Sequence, residues 1–144
     1  MINMFRKQQG QGLTETLMIT VLIGLTVLAF ISFQNHLSYY TELAQQKAYA
    51  NLLAKAKIET LRYFSVLNTT AGYTAYQNIT TGNESNTVGN TAYTINYTIT
   101  SNTSPTYKNI NLTVSWTDRR GNAQLIRYVT NIASVDPSLA VTYM

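Results

Sequence analysis

A run of 18 residues without a charge, Thr16 to Phe33, limits this chain more than any other feature. As an α-helix it rises about 27 Å at roughly 1.5 Å per residue, close to the ~30 Å hydrocarbon thickness of a bilayer, so it can just span one. Arg6 and Lys7 precede the run and no acid does until Glu15. That excess of positive charge places the first residues in the cytoplasm and everything after Phe33 outside. Tyr39 and Tyr40 follow where an interfacial aromatic belt would lie. Glu15 is the anomaly, because an acid at the head of an apolar run costs on the order of 3 kcal/mol if carried toward the bilayer centre. A cation must compensate it.

From Gln34 to Val66 there is neither Gly nor Pro, and Ala, Leu, Gln, Lys and Glu dominate, so the helix is expected to continue unbroken over 12–65. Only its second half is amphipathic. At 100° per residue, Leu43, Ala50, Leu53, Ala54, Leu61 and Phe64 gather on one side and Lys55, Glu59 and Arg62 fall opposite, while Lys57 interrupts the apolar stripe. Such a stripe is the surface on which a sheet would pack. Residues 67–91 turn to Asn, Thr, Gly and Ser and predict a long connecting loop with one short element around Tyr73 to Ile79.

Three strands follow by their alternation. Tyr93, Ile95, Tyr97 and Ile99 share one face of Thr91–Thr100, and Ile110, Leu112, Val114 and Trp116 share one face of Asn109–Trp116. Ala123 to Ile132 is a third run, in which Arg127 fits either face. Trp116 is expected in the core, joining its strand to the helix. Ser101 to Lys108 reads as the first connection, Asp118-Arg-Arg-Gly-Asn122 as a hairpin loop, and Asp136-Pro137 as a cap and first position of a closing turn. The expected fold is α+β, a long N-terminal helix packed on a small antiparallel sheet.

The chain has no Cys, which excludes disulfides, a thiol nucleophile and a cysteine metal site. The single histidine, His36, sits beside the membrane interface, and Glu84, Asp118 and Asp136 are scattered without a visible partner. With no phosphate-binding glycine loop, metal-ligand spacing or nucleophile–base pair, neither an enzyme nor a cofactor is expected. Arg119 and Arg120 at the hairpin tip are the candidate anion or DNA contact. Two arginines without a larger basic face give only weak, salt-sensitive binding, so nucleic acid is not an expected partner. The Asn-x-Ser/Thr triplets at Asn68, Asn78 and Asn96 follow from a chain rich in both residue types.

The string Gly10-Gln11-Gly12-Leu13-Thr14-Glu15, with basic residues upstream and the apolar run downstream, resembles the cleavage and assembly signature of type IV prepilins. The match covers residues 6–33 and includes Gly24. The resemblance implies that prepilin peptidase cuts after Gly10 and that Gln11 becomes a methylated amino terminus whose ammonium partners Glu15. It divides the chain into a leader, 1–10; a transmembrane and assembly helix, 11–38; its amphipathic continuation, 39–66; and a periplasmic or extracellular sheet domain, 67–144, whose helix-to-sheet loop is 67–91. Removing the leader lowers the net charge from +4 to +2, since it carries two of the ten basic residues and none of the six acids. Where many pilins have Phe at the mature terminus and a helix-bending Pro, this chain has Gln11 and Ser32, so a straighter helix is expected.

The string also looks like the processing site of the much shorter Tad-system pilins, and an ordinary signal anchor with Glu15 at headgroup level is the plain alternative. A cleaved secretory signal fits less well, because the apolar run is too long and the nearest small-x-small pair is Ala48-Tyr-Ala50. Val114-Ser-Trp-Thr-Asp-Arg-Arg-Gly-Asn-Ala-Gln124 and Asn131-Ile-Ala-Ser-Val-Asp-Pro-Ser-Leu139 resemble the carboxyl-terminal region of PilV-type minor pilins. That resemblance implies a subunit that primes a type IV pilus or enters it. The implied partners are prepilin peptidase, other minor pilins and the major pilin, the inner-membrane assembly platform and membrane lipid. The implied location is the bacterial inner membrane, single pass with the carboxyl-terminal domain periplasmic, then the fibre at the cell surface. A type II secretion pseudopilin and a DNA-binding or adhesive pilus subunit are the alternatives.

Overall fold

The structure, a computed structural model, describes the backbone of residues 5–136 and the side chains of residues 12–136. The elements are a helix α1, Phe5–Arg62; a single 3-10 turn, Tyr76–Asn78; and four strands, β1 Gly82–Val88, β2 Thr91–Thr103, β3 Thr106–Thr117 and β4 Ala123–Ala133. The strands form one antiparallel sheet in sequence order, β1-β2-β3-β4. This is the α+β layout that the two periodicities predict. The closing turn expected at Asp136-Pro137 lies outside the described residues.

Contacts divide the chain between Glu42 and Leu43 into two units. In the first, large apolar side chains from Leu13 to Phe33 are exposed all round the helix, none less than 50%. The stretch is long and apolar enough to cross a membrane. Three of its threonine hydroxyls are satisfied within the helix: Thr16 and Thr20 donate to the Gly12 and Thr16 carbonyls at 2.8 Å, and Thr26 to the Ile23 carbonyl at 2.8 Å. His36 Nδ1 lies 2.8 Å from the Ser32 carbonyl. Polar groups folded back in this way leave little unmet hydrogen bonding for a hydrocarbon surrounding. Of the expected aromatic pair, Tyr40 is exposed while Tyr39 is buried.

In the second unit, Ala50, Ala54 and Ile58 recur every four residues and bury against the sheet, with Leu53 and Leu61 partly buried beside them. The sheet answers with Tyr93 and Ile95 of β2, Ile110, Leu112, Val114 and Trp116 of β3, and Ile132 of β4. Register places Tyr93 opposite Trp116, Ile95 opposite Val114 and Val114 opposite Ile126, so one pleat face is apolar across three strands. The other face is Thr, Asn and Ser, with Leu125, Arg127 and Val129 exposed on β4. Arg127, open to either face by sequence, points outward.

Three boundaries differ from the sequence expectation. The helix ends at Arg62 rather than 65, and Phe64 packs edge-on against Tyr76 from the following segment, 5.2 Å between centroids. The connection expected over 67–91 contains β1, an edge strand whose pattern is polar on both faces and so carries no apolar alternation. Its turn is Gly89-Asn90, with Gly89 at φ 59°, the geometry a two-residue hairpin with glycine at its first central position requires. The connection expected over 101–108 shrinks to Ser104-Pro105, because β2 and β3 pair through Thr103 and Thr106.

Candidate functional site

The two places singled out by sequence, Gly10 to Glu15 and Arg119-Arg120, lie in different units. Gly10 and Gln11 belong to the helical backbone of α1, but their side chains, and those of Arg6 and Lys7, lie outside the described residues. Glu15 is exposed, with no hydrogen bond or ion pair among the described residues. The contact expected between Glu15 and a new Gln11 terminus likewise falls outside them. Around Glu15 the surface is Leu13, Thr16, Leu17 and Met18, so the carboxylate sits at the polar end of a bare apolar helix.

Sequence reasoning gave Asp118 and Glu84 no partners, and the structure supplies both. Asp118 is buried, and its Oδ1 accepts the Arg120 and Asn122 backbone N–H groups at 2.9 Å each, while the Asn122 and Gln124 side-chain amides donate to its Oδ2 at 3.2 and 3.3 Å. With Gly121 at φ 82°, this closes the loop and leaves Arg119 and Arg120 exposed at its tip. Glu84 pairs with Lys57, the residue that interrupts the helix stripe, and the Lys57 ammonium also lies 4.6 Å from the Tyr97 ring centre. Burial works against the Lys57 ammonium, but hydrogen bonds to Glu84 and Tyr97 outweigh it and hold the group above its ordinary value. The stability this gives is fully present below the ordinary lysine range and is lost as pH rises through the raised value. Open grooves of about 250 and 260 Å³ flank Lys57 between the helix and the β1 side of the sheet.

Two buried polar side chains were not foreseen. Gln46 on α1 accepts from Trp116 Nε1 at 3.1 Å, donates to Thr91 Oγ1 at 3.3 Å, and its backbone carbonyl accepts from Tyr93 at 3.3 Å. Lys108 has the same parity as Ile110 and is buried, donating to the carbonyls of Tyr76, Gln77 and Ile79 at 2.8, 3.1 and 2.7 Å. All three ammonium donors are matched, and burial pushes its pKa below the ordinary lysine value. The lysine thereby fixes the Tyr76–Asn78 turn on the sheet. Replacing Lys108 with Met is expected to cost about 2–4 kcal/mol by leaving buried carbonyls without donors. Amide exchange at 76–79 should accelerate more than in β3, and unchanged exchange there would show that the turn holds by itself.

Among the described residues no group of His, Asp and Glu is placed to hold a metal ion. The convergent polar groups around Gln46, Lys108 and Asp118 bond to one another and to the backbone within the fold. No family model, curated protein or solved structure matches the chain.

Proposed function

We propose that this chain is a minor pilin, made with a leader of residues 1–10 and processed by prepilin peptidase before it primes or enters a type IV pilus. One combination carries the reading. An acid five residues after Gly10 stands at the head of a bare apolar helix, and the continuation of that helix packs on an antiparallel sheet. An apolar surface exposed on every side needs lipid before assembly and neighbouring helices after it. A subunit drawn from a membrane into a fibre meets both needs in turn. The second unit, with its own core and a polar outer face, is the part displayed to solvent.

The test is the mass of the protein recovered from membranes and from sheared fibres. The expected species begins at Gln11 and carries one amino-terminal methyl group, and deleting the peptidase restores the full chain. A mature chain beginning at Leu13 would refute this register, since Glu15 would then stand third. Retention of Met1 in peptidase-positive cells would leave an ordinary signal anchor.

A further inference from the structure

We infer that the open edge of β4 is a docking site for the chain's own residues 138–144, which add to the sheet as an antiparallel fifth strand. The inference concerns the sheet domain alone and goes beyond the pilin reading. β4 is the last strand of the sheet, and among the described residues nothing pairs with its far side. Which backbone groups are left there follows from the hydrogen bonds at its two ends. Asp118 N–H donates to the Asn122 carbonyl at 2.9 Å, and Ser134 N–H donates to the Thr106 carbonyl at 3.2 Å. The even-numbered residues between Asn122 and Ser134 therefore turn their N–H and C=O groups to β3, while Leu125, Arg127, Val129, Asn131 and Ala133 turn theirs to the open edge. A row of such groups is a template for another strand.

The core is unfinished on the same side. Ile110, Leu112, Val114 and Trp116 of β3 are buried, whereas Ile126, Tyr128 and Thr130, which face inward from β4, stay partly exposed. The sequence past Asp136 supplies what this side lacks. In Pro137-Ser-Leu-Ala-Val-Thr-Tyr-Met144, Leu139, Val141 and Tyr143 alternate with Ala140 and Thr142, the period of a half-buried strand. Since Ser134 still bonds to β3, a connection over 135–138 returns the chain along β4, and four residues are a common hairpin length. Asp136-Pro137 then falls inside the connection, where the N–H that proline lacks costs no ladder bond. Pairing sets Ala140 opposite Ala133, Thr142 opposite Asn131 and Met144 opposite Val129. In this register Val141 lies beside Ile132 and Tyr143 beside Thr130 on the core side, and Thr142 joins Asn131 in the polar outer face. A shift of one residue would reverse every side chain. The β4 edge of a second copy is a poorer occupant, because the register that matches Leu125 with Val129 sets Arg127 opposite Arg127.

Amide exchange of the full chain in detergent micelles would be resolved residue by residue along β4. Asn131 and Ala133 are expected to be protected severalfold more than Leu125 and Arg127, which lie past the partner of residue 144, while Ile126 and Tyr128 are protected by β3 throughout. Ending the chain at Asp136 should bring Asn131 and Ala133 down to the level of Arg127 and leave Ile126 and Tyr128 unchanged. Val141→Lys, aimed at the core, should do the same, whereas Thr142→Lys, aimed at solvent, should keep the protection. Fast exchange at Asn131 and Ala133 in the full chain overturns the inference, as does protection that survives the truncation. Release by Thr142→Lys but not by Val141→Lys overturns the register. Protection lost on dilution would assign the edge to a segment of another molecule and overturn docking within one chain. Leader cleavage enters none of these outcomes, so the pilin reading stands or falls separately.

Discussion

Replacing Trp116 with Ala is expected to destabilise the second unit by about 3–5 kcal/mol, the cost typical of removing a large buried aromatic. The side chain is 4% exposed, lies 5.7 Å from the Tyr93 ring and donates to Gln46. Its loss opens a cavity and also leaves a buried amide oxygen without its indole donor. Since small domains are held by only about 5–15 kcal/mol, that is a large share of the total. Urea unfolding of a soluble fragment, 38–144, measures it. Trp116→Phe keeps most of the apolar contact and should lose only about 1–2 kcal/mol, mainly the hydrogen bond. An unchanged midpoint for the alanine variant would mean that Trp116 does not tie β3 to the helix.

The second large effect concerns assembly. Glu15→Val is expected to leave insertion and leader cleavage intact while sharply reducing the amount of subunit in fibres. Removing a carboxylate from the head of an apolar helix eases entry into lipid. Within a fibre, however, apolar helices pack side by side and offer little to distinguish one axial register from another. If the chain is the processed pilin proposed above, a carboxylate seeking the α-amino group of Gln11, whose unperturbed pKa is roughly 8, would supply that distinction, either within one subunit or between neighbours. A subunit docked one turn out of place buries its acid unpaired. Membrane and sheared-fibre pools of the mutant would be quantified separately. Equal incorporation of mutant and wild type would reduce Glu15 to a bystander at the headgroup level.

What the sequence reveals depends on whether one residue's neighbours along the chain are also its neighbours in space. β2 and β3 were legible because Tyr93, Ile95, Ile110, Leu112, Val114 and Trp116 each repeat a two-residue period against one core. β1 was not, since an edge strand with Asn83, Ser85 and Thr87 outward and Glu84 and Asn86 inward shows no apolar side to read. Its signal was the Gly89-Asn90 dipeptide, whose backbone demands are local. Lys57 could be seen to interrupt the stripe, but its partner Glu84 is 27 residues away. Lys108 stood in phase with Ile110, yet lysine is ordinarily expelled from a core; the carbonyls that retain it come from a turn about 30 residues earlier. At the candidate sites, the exposed tip of Arg119 and Arg120 was readable from Asp118-Arg-Arg-Gly-Asn122. Its position at the Gln46 end of the sheet required the pairing of Gln46 with Trp116.

The polar outer face of the sheet bears on how the chain's glycan-acceptor triplets should be weighed. Successive residues of a strand point to opposite sides, so a face built from Asn and Ser or Thr places them two positions apart. Asn83-Glu-Ser85, Asn96-Tyr-Thr98 and Asn111-Leu-Thr113 all arise in this way, with Asn83 opposite Asn96 and Thr98 opposite Asn111. The acceptor triplet is thus spelled by the pleat itself, wherever solvent selects amides and hydroxyls for one side of a sheet. Its recurrence in these strands records which way the side chains point, and an oligosaccharyltransferase need never have shaped it.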